Sequence, residues 1–286
     1  DAKHAREERA STMAMSPKTA SLWSKAIDYA VIASPNTKHR AVFNFNQVNW
    51  TPKIQARDMV ALSPILMYST WFNTVQLENL RLRREASEEF FYSLSQNKVM
   101  SHLRLCNVHL KSYKIVKIKG LPLNLRELDL SYNHLGTAGA EHLAALFRGQ
   151  TSATSADTSA ENQEAFLEGK ANLDADMDFS HDAPVLTMLD LEKCQLDSGF
   201  TALAKVFSSP AWSVTLMELN VSYNRLGSKG SRALGQYLRK AKSLEMLNIS
   251  SCNLDCFKVY DGLAHNQTLL NKLVHLDGSL NVTDNA

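Results

Sequence analysis

Cysteine is scarce in this chain of 286 residues, with four in all: Cys106, Cys194, Cys252 and Cys256. That is too few for a disulfide framework, and no CxxC or paired Cys/His spacing suggests zinc, so a reducing interior is the natural setting. Excess charge of one sign is also lacking. The formal net charge is +2 with 21% charged residues, which gives the composition no global electrostatic programme for nucleic acid. Long apolar runs are missing as well. The greasy stretch from Met59 to Trp71 is broken by Ser63, Pro64 and Ser69 and falls short of the roughly 18 to 20 apolar residues that cross a bilayer. A soluble chain is expected. The opening DAKHAREERA begins at Asp1 and is too charged for the apolar core of a secretory signal, which reads as a piece of a longer protein. Catalytic motifs are absent too: there is no GxGxxG, no GxxxxGKS/T, no HExxH and no GxSxG, and the nine histidines are scattered. His134 sits just past an expected strand and His142 on an expected helix. No enzyme activity, cofactor or metal is expected.

What the sequence does contain is one frame, repeated: LxxLxLxx(N/C)xL. It is cleanest as LRELDLSYNHL from Leu125, LTMLDLEKCQL from Leu186, LMELNVSYNRL from Leu216 and LEMLNISSCNL from Leu244. The steps from Leu186 to Leu216 and on to Leu244 are 30 and 28 residues, the length of a strand followed by a full helix. The expected fold is therefore α/β, a leucine-rich-repeat solenoid or horseshoe of the ribonuclease-inhibitor-like subtype. Parallel strands would line its concave face and helices its convex face. Alternating leucines turn one strand face into the core. The ninth slot (Asn133, Cys194, Asn224, Cys252) turns the chain out of the strand and places a side chain against buried backbone of neighbouring turns. Cys194 and Cys252 are accordingly read as structural. Behind the strands, Leu135, Gly139, Leu143 and Leu146 fit one helix and Leu226, Gly230, Leu234 and Leu238 another. One repeat cannot bury its own apolar face, so stacking is obligatory. Five N-x-S/T sequons occur, and those at Asn220 and Asn248 fall in expected strands, which makes them repeat chemistry rather than glycosylation sites.

Weaker copies extend the array. Leu77, Leu80 and Leu82 fill the frame ahead of a helical stretch through Phe90, Phe91 and Leu94, followed by Met100, Leu103, Leu105, Val108 and Leu110. Phe43, Phe45, Val48 and Trp50 take the same slots, and aromatics at an end unit suit a cap. Downstream, Leu273, Leu276 and Asn281 begin another unit in which Gly278 occupies an apolar slot. The step from Leu125 to Leu186 is 61 residues, about twice a repeat, and Thr151–Ala183 carries eight acids against one Lys. These features divide the chain into a linker (1–39) and a repeat domain (40–286). The repeat domain has an amino-terminal cap (40–76), an acidic low-complexity insertion (151–183), read as a solvated loop or a regulatory tether, and a truncated last repeat.

Function would reside on the third, fifth and seventh slots of each strand, the side chains of the concave face. From the amino end these read Asn79, Arg81 and Arg83, then His102, Arg104 and Cys106, then Glu127, Asp129 and Ser131. Met188, Asp190 and Glu192 follow, and then Glu218, Asn220 and Ser222. The face is expected to be basic early and acidic later. Arg81, Arg83 and Arg104 would repel one another unless a partner answers them. Tyr132 and Tyr223 occupy matching eighth slots at the rim, where either contact chemistry or simple repeat preference accounts for tyrosine.

The amino-terminal third carries more than the frame. The runs AVFNFNQVNW, ARDMVALSPILMYSTWFNTVQLENLRLRREASEEFF and VMSHLRLCNVHLK resemble the entry to the leucine-rich-repeat domain of the CARMIL family of actin-capping-protein regulators, with Trp71 and Phe72 as that family's aromatic pair. The resemblance covers roughly Arg40 to Gly139. It implies a non-enzymatic cytoskeletal scaffold at the cell cortex and plasma membrane, present at the lamellipodium and active in cell migration. Regions outside this chain would engage capping protein and myosin I, an upstream domain would bind membrane, and the complete protein would be a homodimer. The basic capping-protein motif itself is absent from the chain. Two other readings stay open: a Ran-type GTPase activator, which uses the same repeat subtype, and a generic leucine-rich-repeat binding module.

Overall fold

The computed structural model describes residues 41–47, 56–70, 72–152 and 184–281. The expected linker (1–39), the acidic segment beyond Ser152, and Val48, Trp50 and Trp71 lie outside the described residues. Contacts divide the chain into two compact units, 1–133 and 134–286.

The first unit runs β1 (Ala41–Asn44), a 3-10 turn (Phe45–Gln47), α1 (Ala56–Tyr68), β2 (Phe72–Glu78), α2 (Arg84–Gln96), β3 (His102–Cys106), α3 (Ser112–Ile115) and β4 (Glu127–Asp129). The strands are parallel neighbours in chain order. The apolar slots are buried as the alternation requires: Val75, Leu77, Leu103, Leu105, Leu128 and Leu130 are at most 2% exposed. Helix α1 packs against α2. The cap core is aromatic, with ring centroids 4.8 Å apart for Phe43 and Phe45, 5.3 Å for Phe43 and Phe72, and 5.9 Å for Phe45 and Phe90. Such offset and edge contacts are favourable ring geometry. Strand β2 runs through residue 76, the boundary expected for the cap.

Register in β2 differs from the expected frame. Val75 pairs with Leu103 and Leu77 with Leu105, so the first slot is Phe72 and Leu77 is the sixth. The reason is spacing. From Phe72 to Met100 is 28 residues, one full repeat, whereas a start at Leu77 would leave no turn before α2 at Arg84.

The second unit runs α4 (Gly136–Ser152), β5 (Met188–Asp190), a 3-10 turn (Asp197–Gly199), α5 (Phe200–Phe207), α6 (Pro210–Ser213), β6 (Glu218–Asn220), α7 (Gly227–Leu238), β7 (Met246–Asn248), α8 (Cys256–Ala264), α9 (Gln267–Leu270) and β8 (His275–Asp277). Strands β5 to β8 are again parallel and in register, the last copy included. In α4 the core position falls to Phe147, fully buried, and Leu146 is only half-buried. Phe147 packs against Trp212 with ring centroids 5.0 Å apart and the planes tilted by 48°. Among the described residues no helix is long and apolar enough to cross a membrane. Both units have the architecture of leucine-rich repeats: a short parallel strand on one side, a helix or turn on the other, and leucines between.

Candidate protein-contact face

The turns that end the strands fix which side chains reach the open face. The eighth slot of every repeat from β2 to β8 is left-handed: Asn79, Asn107, Tyr132, Lys193, Tyr223, Ser251 and Leu280 have φ between 51° and 58°. That conformation is costly for any residue but Gly. At Asn79, Asn107, Lys193, Tyr223 and Ser251 it is held by the eighth-slot N–H donating to the seventh-slot carbonyl of the next strand, as in Asn79 to Cys106 (3.0 Å) and Tyr223 to Ser250 (2.9 Å). Tyr132 and Tyr223 share this left-handed conformation and stand half out of the fold.

Two kinds of turn then alternate. Where the ninth slot is Asn, the next left-handed residue is a glycine at the twelfth slot, Gly136 or Gly227. Where it is Val or Cys, the tenth slot is left-handed, at His109, Gln195 and Asn253, and in the Cys194 repeat the twelfth slot, Asp197, is left-handed too. Each Asn serves the preceding turn. Asn133 Oδ1 accepts from the N–H of Val108 (3.1 Å) and of Leu110 (3.0 Å), and its Nδ2 donates to the carbonyls of Leu105, Leu130 and Ser131. Asn224 repeats the set with Cys194, Leu196, Leu191, Val221 and Ser222. Asn281 does so with Cys252, Leu254, Ile249 and Gly278.

Cys252 donates from Sγ to the Val221 carbonyl at 3.0 Å, and burial pushes its thiol from an ordinary value of 9.0 up to about 11. It is a structural donor, not a nucleophile. The pH dependence follows from the raised value. Stability is fully present below pH 9, where the thiol is protonated both folded and unfolded, and is lost as pH rises toward about 11. Chemical unfolding at stepped pH should show an alkaline decline of about 1.4 kcal/mol per pH unit in that window that Cys252→Ala lacks.

In the first unit the open face presents Thr74, Gln76 and Glu78 from β2, His102, Arg104 and Cys106 from β3, and Glu127, Asp129 and Ser131 at β4. Arg81 and Arg83 are not among them: they follow the β2 turn, and Arg83 immediately precedes α2. The expectation of a basic early face is corrected accordingly. Arg104 Nε instead lies 2.7 Å from Glu78 Oε1 and 3.1 Å from Asp129 Oδ2, and His102 Nε2 lies 3.1 Å from Glu127 Oε1. The cation is answered from within the chain. Thr74, Gln76 and Glu78 were missed because the LENLRL string imitates the frame. The 28-residue step back from Met100 was the signal that locates them. Cys106 sits between those carboxylates. Burial above all, then Asp129 and Glu78, holds its thiol up against a hydrogen bond from Ser131.

The Arg104 bridge is solvated, with the arginine 54% exposed, so its contribution is modest. Arg104→Ala should cost about 1 kcal/mol or less in urea unfolding at low salt, and the difference should fade by high salt, where exposed pairs are screened.

In the second unit the face offers Met188, Asp190 and Glu192, then Glu218, Asn220 and Ser222, then Met246, Asn248 and Ser250. Fifth-slot side chains are largely committed to their own strand ends. Asp190 Oδ1 accepts from Glu192 N (2.8 Å), Asn220 Oδ1 from Ser222 N (3.1 Å), and Asn248 Oδ1 from Ser250 N (3.1 Å). Asn220 Nδ2 also reaches Asp190 Oδ2 at 3.1 Å and Glu192 Oε2 at 3.3 Å. Glu218 and Met246 are exposed and free to be read by a partner.

Comparison with known proteins finds the same repeat in sequence. A leucine-rich-repeat family model matches residues 123–144 and 213–235. The human capping protein, Arp2/3 and myosin-I linker protein 3 is 26% identical over 221 residues, 74% of this chain, and its mouse counterpart is 24% identical over 225 residues, 77% of the chain. The chain spans 14% of the length of each. A solved tropomodulin C-terminal domain from Caenorhabditis elegans matches with a TM-score of 0.37 at 14% identity, over 75% of this chain and 96% of its own. Frame, register and relatives together make this a chain of leucine-rich repeats similar in sequence to the capping protein, Arp2/3 and myosin-I linker proteins.

Proposed function

We propose that the chain is the repeat domain of a CARMIL-like regulator of actin-filament capping, a scaffold without catalytic activity of its own that works in the cytoplasm at the cell cortex. The observation that carries this reading is the 26% identity across 221 residues to a protein named for capping protein, Arp2/3 and myosin-I. Partners would meet Arg104, Glu127, Asp129 and Tyr132 in the first unit, and Met188, Asp190, Glu192, Glu218 and Tyr223 in the second. Arg81 and Arg83 would join only from the turn beyond β2. On this reading capping protein and myosin I bind outside the chain, and membrane attachment and dimerisation belong to the complete protein.

A barbed-end elongation assay on capped filaments tests the proposal. The complete protein should restore growth in the presence of capping protein, and residues 1–286 alone should not. Faster GTP hydrolysis by purified Ran on adding the chain would replace the proposal with a GTPase activator.

A further inference from the structure

Between Glu89 and Glu127 the sequence contains no acid at all. The 37 residues 90–126 carry Lys98, Arg104, Lys111, Lys114, Lys117, Lys119 and Arg126, five of them within the repeat that runs from Met100 to Asn124, in a chain whose net charge is +2. Four of these lysines gather on α3 and the turn that continues it, where Lys117 N donates to Lys114 O and Ile118 N to Ile115 O. Lys114, Ile115 and Ile118 face inward and are at most 5% exposed. Tyr113, Val116 and Lys117 face outward at the i, i+3, i+4 spacing that puts side chains on one helical face, and Lys111 and Lys119 flank them, both exposed.

The buried Lys114 anchors this turn. Its Nζ donates to the carbonyls of Leu82 and His109. Burial first, then repulsion from Arg81 and Lys111, lowers its pKa against a smaller opposing pull from Glu85, so Arg81 extends the same field from the preceding repeat. Among the described residues no ion pair involves Lys111, Lys117 or Lys119. Tyr113 is 52% exposed and Val116 38%, an aromatic and an aliphatic side chain held outward between hydrated ammonium groups.

We infer that this outward turn docks onto an anionic lipid bilayer through Lys111, Lys117 and Lys119, with Tyr113 and Val116 entering the headgroup layer. Lysines act as hydrated point charges without the bidentate fork that selects individual carboxylates or phosphates, which suits a diffuse negative surface. A short apolar pair between them suits the boundary of headgroups and acyl chains. An acidic polypeptide would use the charge and leave the apolar pair unused. The inference stands whether or not the chain acts in filament capping.

Sedimentation of the 286-residue chain with vesicles tests it. Vesicles of phosphatidylcholine with phosphatidylserine should bind the chain at low salt, and phosphatidylcholine alone should not. At roughly fivefold per lysine near a charged surface, the triple variant Lys111→Gln, Lys117→Gln and Lys119→Gln should lose about 100-fold in affinity with its melting curve unchanged. The pair Tyr113→Ala and Val116→Ala should weaken binding and keep its salt dependence. No binding to the anionic vesicles, unchanged binding by the lysine variant, or poly-glutamate binding as tightly and independently of Tyr113 and Val116 would each overturn the inference.

Discussion

Replacing Asn224 by Ala should destabilise the second unit by about 4 kcal/mol, read as a shift in the urea midpoint at constant slope. The side chain is 1% exposed. Its loss strands the N–H groups of Cys194 and Leu196 and the Leu191 carbonyl that its amide holds at 2.8 Å, while the carbonyls of Val221 and Ser222 keep the Cys252 thiol and the Lys193 N–H as donors. An unsatisfied buried donor or acceptor costs about 1–3 kcal/mol, and partial relaxation keeps the total below the full sum. Asn224→Asp should recover only the two accepted bonds and bury a charge beside three carbonyls, so it should be no better. Asn281→Ala offers the internal control. Its bonds to Cys252, Leu254 and Ile249 are partly solvated, and water can replace them, so the loss should be less than half as large. Equal losses at both positions would refute the account.

The other large effect is expected where two helices touch at glycine. A Cβ on Gly262 in α8 would stand 2.4 Å from the Gly235 carbonyl oxygen and 2.7 Å from its Cα, and one on Gly235 in α7 would stand 2.4 Å from the Lys258 carbonyl oxygen. These neighbours are backbone, so relief requires the two helices to separate. Separation would open gaps around buried Leu234, Leu238, Val259 and Leu263, and voids forfeit contact energy. Gly262→Val should therefore cost about 3 kcal/mol or more even though it adds apolar surface. Gly149→Val, on the other helix α4, has nothing within 4 Å of its Cβ and should stay within about 1 kcal/mol of the parent. Thermal melts of the three proteins decide the point, and a Gly262→Val protein as stable as Gly149→Val would show that the helices can part freely.

The sequence by itself determined the repeat, because its signals are local. Leucine alternation, the ninth-slot Asn or Cys, and the steps of 30 and 28 residues each follow from what one strand and one turn need, and each could be read without knowing the neighbours. The buried roles of Cys194, Cys252, Asn133 and Asn224 came from the same logic. Only the tertiary structure decided which side chains the open face of the first unit presents. LENLRL fits the frame by composition, but a parallel ladder admits one register, and pairing of Val75 with Leu103 sends Arg81 and Arg83 past the turn and brings Glu78 to Arg104. A one-repeat frame cannot encode that choice, since it is made by the strand next door. The same holds for the Gly235–Gly262 contact and for the outward set Tyr113, Val116 and Lys117. Which glycines must be small, and which cations stay unanswered, depend on what packs against them.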